Sequence, residues 1–122
     1  MSLQELLEKQ FPAAPDEVVE SASSLAEEAA RMAAEAYELA ASESATVGDL
    51  QRAASLLQKT YDAVRRAQQS LARYVSTDPR AAALYVKLAK VSFVAQQAAA
   101  RLQAVVQRIQ GAAQPAPAPA PA

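Results

Sequence analysis

The chain has 122 residues and a net charge of −1, and 52% of its residues are hydrophobic, although 32 of those are alanine. It contains no Cys and no His, which excludes disulfides, zinc–thiolate sites and thiol catalysis and removes the commonest general base and metal ligand. With 122 residues, the chain is expected to form one domain at most. Because alanine buries little area, we expect a small core that gains from a partner or from self-association.

The charges are divided between the two halves of the chain. Residues 1–49 carry 11 acids and 2 bases, whereas residues 50–122 carry 2 acids and 10 bases. Such asymmetry indicates either a face for nucleic acid or a membrane surface, or two halves that neutralise each other. The N-terminal residues lack the features of a signal peptide, and no run of 18 apolar residues occurs, so we expect a soluble, cytoplasmic protein without a membrane span.

A short amphipathic helix is predicted within residues 1–12. Ser2 and Glu5 fit a capping box, and Pro12 ends the segment. Its apolar residues follow at helical spacing: Leu3, Leu6, Leu7 and Phe11. A helix of about ten residues is marginal alone, so we expect it either to dock its apolar side chains on another surface or to stay frayed.

Three long helices are predicted over about residues 15–43, 47–75 and 79–110. Capping and breaking residues set their ends: Pro15, Thr46 with Asp49, Asp78 with Pro79, and Gly111. Each helix carries an apolar seam that alternates by three and four residues, which predicts left-handed supercoiling. The seam of the first long helix includes Leu25, Met32 and Leu39, and that of the last helix runs from Ala81 to Ile109. In the middle helix, Gln68 is the one polar residue of a seam that comprises Leu50, Ala54, Leu57, Tyr61, Val64, Gln68, Leu71 and Val75.

The expected fold is therefore all-α: an antiparallel three-helix bundle over residues 13–111, followed by a disordered Pro/Ala tail over residues 112–122. In the proportions of its helices the bundle resembles spectrin-type repeats, and in its Ala- and Gln-rich composition it resembles bacterial granule-coat proteins. Spectrin-type repeats usually carry Trp in the core and this chain has none, so the sequence assigns no family.

The last helix has a second apolar face. It comprises Tyr85, Val86, Phe93, Val94 and Ala100. Val86, Phe93 and Ala100, called the outer stripe here, are spaced by seven on the side turned away from the other two helices, where a bundle helix is normally polar. Either the first helix folds back over the outer stripe, or the stripe is an interface for self-association or for a helix of another protein.

The middle helix has a basic stripe, formed by Arg52, Lys59, Arg66 and Arg73. Cations at seven-residue spacing favour phosphate contacts, so nucleic acid or another anionic surface is the alternative partner. No exposed aromatic residue beyond Tyr74 accompanies them to stack on bases, which disfavours nucleic acid.

No stretch of the sequence predicts catalysis. Glu28, Glu35 and Glu38 share one side of their helix, but helical carboxylate metal sites also use His, so we expect a solvated acidic face with no metal and no cofactor. Phosphate-binding glycine loops and nucleophile elbows are absent from the sequence. The leading hypothesis is a non-enzymatic protein interaction module, such as a small scaffold, adaptor or chaperone-like subunit.

Overall fold

The computed structural model describes residues 2–113, which form four helices: α1 (Leu3–Gln10), α2 (Asp16–Ala41), α3 (Val47–Leu71) and α4 (Pro79–Ala113). The helices α2, α3 and α4 each pack against the other two, so the predicted all-α three-helix bundle is confirmed. The predicted disordered tail began at residue 112, but residues 112 and 113 belong to α4. The rest of the predicted tail, from Gln114 onwards, lies outside the described part of the chain.

The core face of α2 is built from alanine. Its buried residues are Ala22, Ala26, Ala29, Ala33, Ala36 and Ala40, each at most 1% exposed. Side chains that end at Cβ let neighbouring helix backbones approach closely, whereas larger residues hold them further apart. Leu25, Met32 and Leu39, which were expected on the seam, are half-buried at its edge and pack against the same core.

The buried face of α3 differs from the predicted seam. Ala54 is exposed, and Tyr61 and Gln68 are only half-buried. The fully buried positions are those one residue earlier in the chain: Ala53, Thr60 and Ala67. A helix that contacts two neighbours buries a wider face than a single seam, and both interpretations share Leu50, Leu57, Val64 and Leu71.

Thr60, and not Gln68, is therefore the buried polar residue of α3. Its hydroxyl donates to the backbone carbonyl of Leu56 at 2.7 Å, so the buried polar group is satisfied within its own helix. The core consequently gains no polar pair between helices at this position, and the packing of apolar side chains sets the register there.

Helix starts follow the predicted capping residues. Thr46 and Asp49 form a complete reciprocal capping box at the start of α3, with bonds of 3.1 and 3.0 Å. The hydroxyl of Ser2 accepts the Glu5 backbone N–H at the start of α1. Pro15 precedes the first turn of α2 and does not lie within it, because its extended ψ of 143° makes it the N-cap residue.

Two helix ends differ from prediction. α3 ends at Leu71 and not near Val75, because the chain tightens into three-residue turns in which Tyr74 N–H donates to Leu71 O and Thr77 N–H donates to Tyr74 O. The predicted stop of the last helix at Gly111 is wrong: this glycine has no positive φ, and α4 continues to Ala113. Gly111 does not adopt the left-handed conformation in which a glycine commonly ends a helix.

Candidate protein interface

The outer stripe lies on the solvent side of α4. Val86 is 55% exposed and Phe93 59% exposed, and Ala100 is exposed as well. On the opposite side of the same helix, Leu88 is fully buried. α4 thus presents a large aromatic side chain to solvent from a helix that the core holds rigidly in place.

The other two residues of the predicted interface lie at the edges of α4. Tyr85 is half-buried and packs against the core. Val94 lines a shallow groove of about 240 Å³ between α2 and α4, whose floor is Ala30 and Ala33. Lys87 and Lys90 belong to the same groove and place positive charge along this edge. Helical geometry adds Ala89, an exposed residue between Val86 and Phe93 that the sequence analysis missed.

The apolar residues of α1 are exposed. Leu3, Leu6, Leu7 and Phe11 all reach solvent, and within residues 2–113 no Cα atom of α1 lies within 8 Å of a Cα atom of α2, α3 or α4. The structure therefore does not place the first helix over the outer stripe. Both the apolar side of α1 and the outer stripe of α4 lie open in the single chain.

The segment after α1, in contrast, is fixed at the turn between α3 and α4. The hydroxyl of Thr77 donates to the carbonyl oxygen of Pro12 at 2.8 Å, and the backbone N–H of Ala14 donates to Asp78 Oδ2 at 2.8 Å. Asp78 also caps α4, because its Oδ1 accepts the backbone N–H of Arg80 at 2.9 Å. Predicted only as a cap, Asp78 thus joins two distant parts of the chain.

Arg80 completes this cluster. Its guanidinium donates to Asp78, to Asp16 at 2.8 Å and to the carbonyl oxygen of Ala14 at 3.0 Å. Hydrogen bonds from the Arg80 side chain, then from the Ala14 and Arg80 backbone N–H groups, lower the pKa of Asp78 to about 2. The same hydrogen bond with Asp78, followed by that with Asp16, raises the pKa of Arg80. The cluster positions the start of α4 and the segment through which the chain leaves α1. These contacts are structural and do not by themselves indicate a catalytic role.

The basic stripe lies nearer to the acidic helix than expected. Arg52 pairs with Glu35 of α2 at 2.6 Å. Lys59 and Arg66 line a groove between α2 and α3 that also contains Glu28 and Asp62. Arg73 lies over the ring of Tyr74, 5.8 Å from its centroid. Positive and negative side chains therefore share this surface, which weakens its attraction for an extended polyanion.

The acidic residues of α2 are not gathered into a metal site. Over the described part of the chain, no group of three or more Asp, Glu, His or Cys side chains is close enough to hold a metal ion. Glu35 is engaged by Arg52, and Glu28 belongs to the mixed groove. Within the same residues, no helix has the length and apolarity needed to cross a membrane.

A second apolar surface lies between the start of α3 and the end of α4. This groove, of about 330 Å³, is lined mainly by Val47, Leu50, Ala54, Leu102, Val106 and Ile109. It exists because the seam of α4 opens to solvent at its end, where Ile109 is 42% exposed. Ile109, which periodicity places on the apolar seam of the last helix, is therefore only partly covered in the single chain.

Comparisons with known proteins add no relative. No family model, no curated protein and no solved structure matches this chain.

Proposed function

We propose that this protein is a non-enzymatic protein interaction module, acting as a small helical scaffold, adaptor or chaperone-like subunit through the outer stripe of α4. The observation that carries this proposal is the exposure of Phe93 and Val86, one heptad apart on a helix whose other side is buried in the core. Aromatic residues dominate the energetics of interfaces when they become desolvated.

Burial of this stripe would supply a useful share of a binding free energy. Removing one large apolar side chain from water contributes about 1.5–3 kcal/mol, and Phe93 and Val86 are each more than half available for it. Because both residues sit on a rigid helix, little conformational entropy is lost when they are covered.

A helix is the partner structure that this surface fits best. Residues spaced by seven on one helix form a linear apolar strip, into which an amphipathic helix can lay its own apolar face. Lys87 and Lys90 border the strip, and Arg101 lies about two turns after Val94, so the flank of the partner should be acidic or neutral. The basic stripe of α3 gains no comparable support, since Glu35, Glu28 and Asp62 lie among its cations.

The test compares proteins retained by the tagged wild-type chain with those retained by a Val86→Lys, Phe93→Lys double variant. A Gln58→Lys, Gln69→Lys double variant on the exposed side of α3 is the matched control for added charge. We expect association, with copies of the chain or with other proteins, to be lost in the α4 variant and kept in the control. Helicity and melting temperature should stay unchanged in both, because all four positions are exposed. Equal retention by the α4 variant and the wild type would contradict the proposal.

A further inference from the structure

We propose that the outer stripe of α4 receives α1 from a second copy of the chain, so that two chains exchange their first helices. This inference rests on the proposed function, because it names the partner of the same surface.

The two open surfaces match in size and character. α1 has eight residues and so a length of about 12 Å, and Val86 and Phe93 are about 10 Å apart along α4. Leu3, Leu6 and Leu7 of α1 and its C-cap residue Phe11 are exposed, just as Val86 and Phe93 are exposed on α4. The charges agree as well: α4 contains five bases and no acid, whereas α1 contains two acids and one base.

The chain's own α1 is held too far from Phe93 to cover it. The hydrogen bonds from Thr77 to Pro12 and from Ala14 to Asp78 fix the end of α1 beside the first turn of α4. Phe93 lies 15 residues beyond Asp78, which is about 22 Å along the helix, and α1 spans only about 12 Å. If α1 folded back within one chain, it would pass Val86 at most and leave Phe93 in solvent.

A second copy is free of that restriction. The α1 of the second copy is tethered to its own bundle and not to the first chain. It can therefore bind along any part of the outer stripe of the first chain. Two-fold exchange would then bury both apolar surfaces of both chains, because each chain offers one α1 and one outer stripe. Pro12 interrupts the helix in the short link between α1 and α2. Because α1 does not continue into α2, α1 can point away from the α2 of its own chain.

The experiment uses light scattering after size-exclusion chromatography, over a wide range of chain concentration. Wild type should have about twice the 12.9 kDa mass of one chain. A chain lacking residues 1–12, the Phe93→Lys variant and a Leu6→Lys, Leu7→Lys double variant should each be monomeric. Gln69→Lys should dimerise like wild type, and circular dichroism should show that every variant remains helical.

Mixing separates exchange from other arrangements. Phe93→Lys keeps a functional α1, and the Leu6→Lys, Leu7→Lys variant keeps a functional outer stripe. A tagged Phe93→Lys chain should therefore retain the untagged double variant, although neither variant retains itself. This rescue is expected only when α1 of one chain binds α4 of another.

The remaining outcomes overturn the inference in distinguishable ways. A monomeric wild type would exclude exchange and leave the proposed function to be decided by foreign partners. A dimer that survives removal of residues 1–12 but not Phe93→Lys would show that α4 binds another surface, so the inference fails and the proposed function stands. A dimer that survives Phe93→Lys would overturn the inference, and the retention test with the Val86→Lys, Phe93→Lys variant would then decide the proposed function.

Discussion

Asp78 Oδ2 accepts the backbone N–H of Ala14 at 2.8 Å, joining residues that are 64 positions apart in the chain. Asp78 is 5% exposed, and its other oxygen caps α4 through the Arg80 N–H. One carboxylate therefore holds the segment before α2 and the start of α4 together at the same end of the bundle. Because α1 is joined to that segment, the same carboxylate also fixes the position of the C-terminal end of α1.

Replacing Asp78 should destabilise the protein more than replacing an ordinary surface carboxylate. In Asp78→Ala, the N–H of Ala14 loses its partner, and the guanidinium of Arg80 loses one. We expect the melting temperature to fall by several degrees in thermal unfolding followed by circular dichroism. Asp62→Ala is the control, since Asp62 is exposed and its ion pair with Arg65 is long, at 3.7 Å, and therefore weak. Similar melting temperatures for the two variants would show that the cluster contributes little.

The contribution of Asp78 should depend on pH. Hydrogen bonds from Arg80 and Ala14 lower its folded-state pKa from 3.8 to about 2, so folding favours the ionised carboxylate. The resulting stabilisation is complete above the unfolded pKa and is lost as pH falls from about 4 to about 2. The difference in melting temperature between wild type and Asp78→Asn should therefore be largest at pH 5 and shrink towards pH 2. A difference that stays constant over this range would contradict the assignment.

The alanine face of α2 should not tolerate larger residues. Ala33 is 1% exposed between the other helices, whereas Ala34, the next residue, is exposed. Ala33→Leu inserts three carbons into a closely packed site and should lower the free energy of unfolding by about 1–3 kcal/mol. Ala34→Leu should change it by less than about 0.5 kcal/mol. Urea denaturation of both variants measures the difference in the free energy of unfolding. Equal values for the two variants would contradict the prediction, because they would mean that the helices move apart at little cost to admit the larger side chain.

Gly111 offers a direct test of where α4 ends. It is helical, and an added Cβ would meet no atom within 4 Å. Gly111→Ala should therefore raise helicity and add up to about 1 kcal/mol of stability, because alanine is the better helix former. If Gly111 ended the helix in a left-handed conformation, the same substitution would lower stability, as the sequence pattern had suggested.

Local sequence patterns predicted much of the architecture. The number of helices, the capping box of Thr46 and Asp49, and the start of α4 at Pro79 depend on spacing and on backbone preferences within a few residues. The shared seam positions of α3, such as Leu57 and Val64, also followed from periodicity alone. These features depend on residues only a few positions apart, so sequence patterns predict them without knowledge of the contacts between helices.

The tertiary structure decided which side of each helix is covered. Thr60 is buried and Gln68 is not, because two neighbouring helices set the width of the α3 face. Phe93 is 59% exposed because, among the described residues, no helix covers the outer side of α4. Periodicity can show that a helix has two apolar sides, but which side finds a partner depends on contacts between residues far apart in the chain.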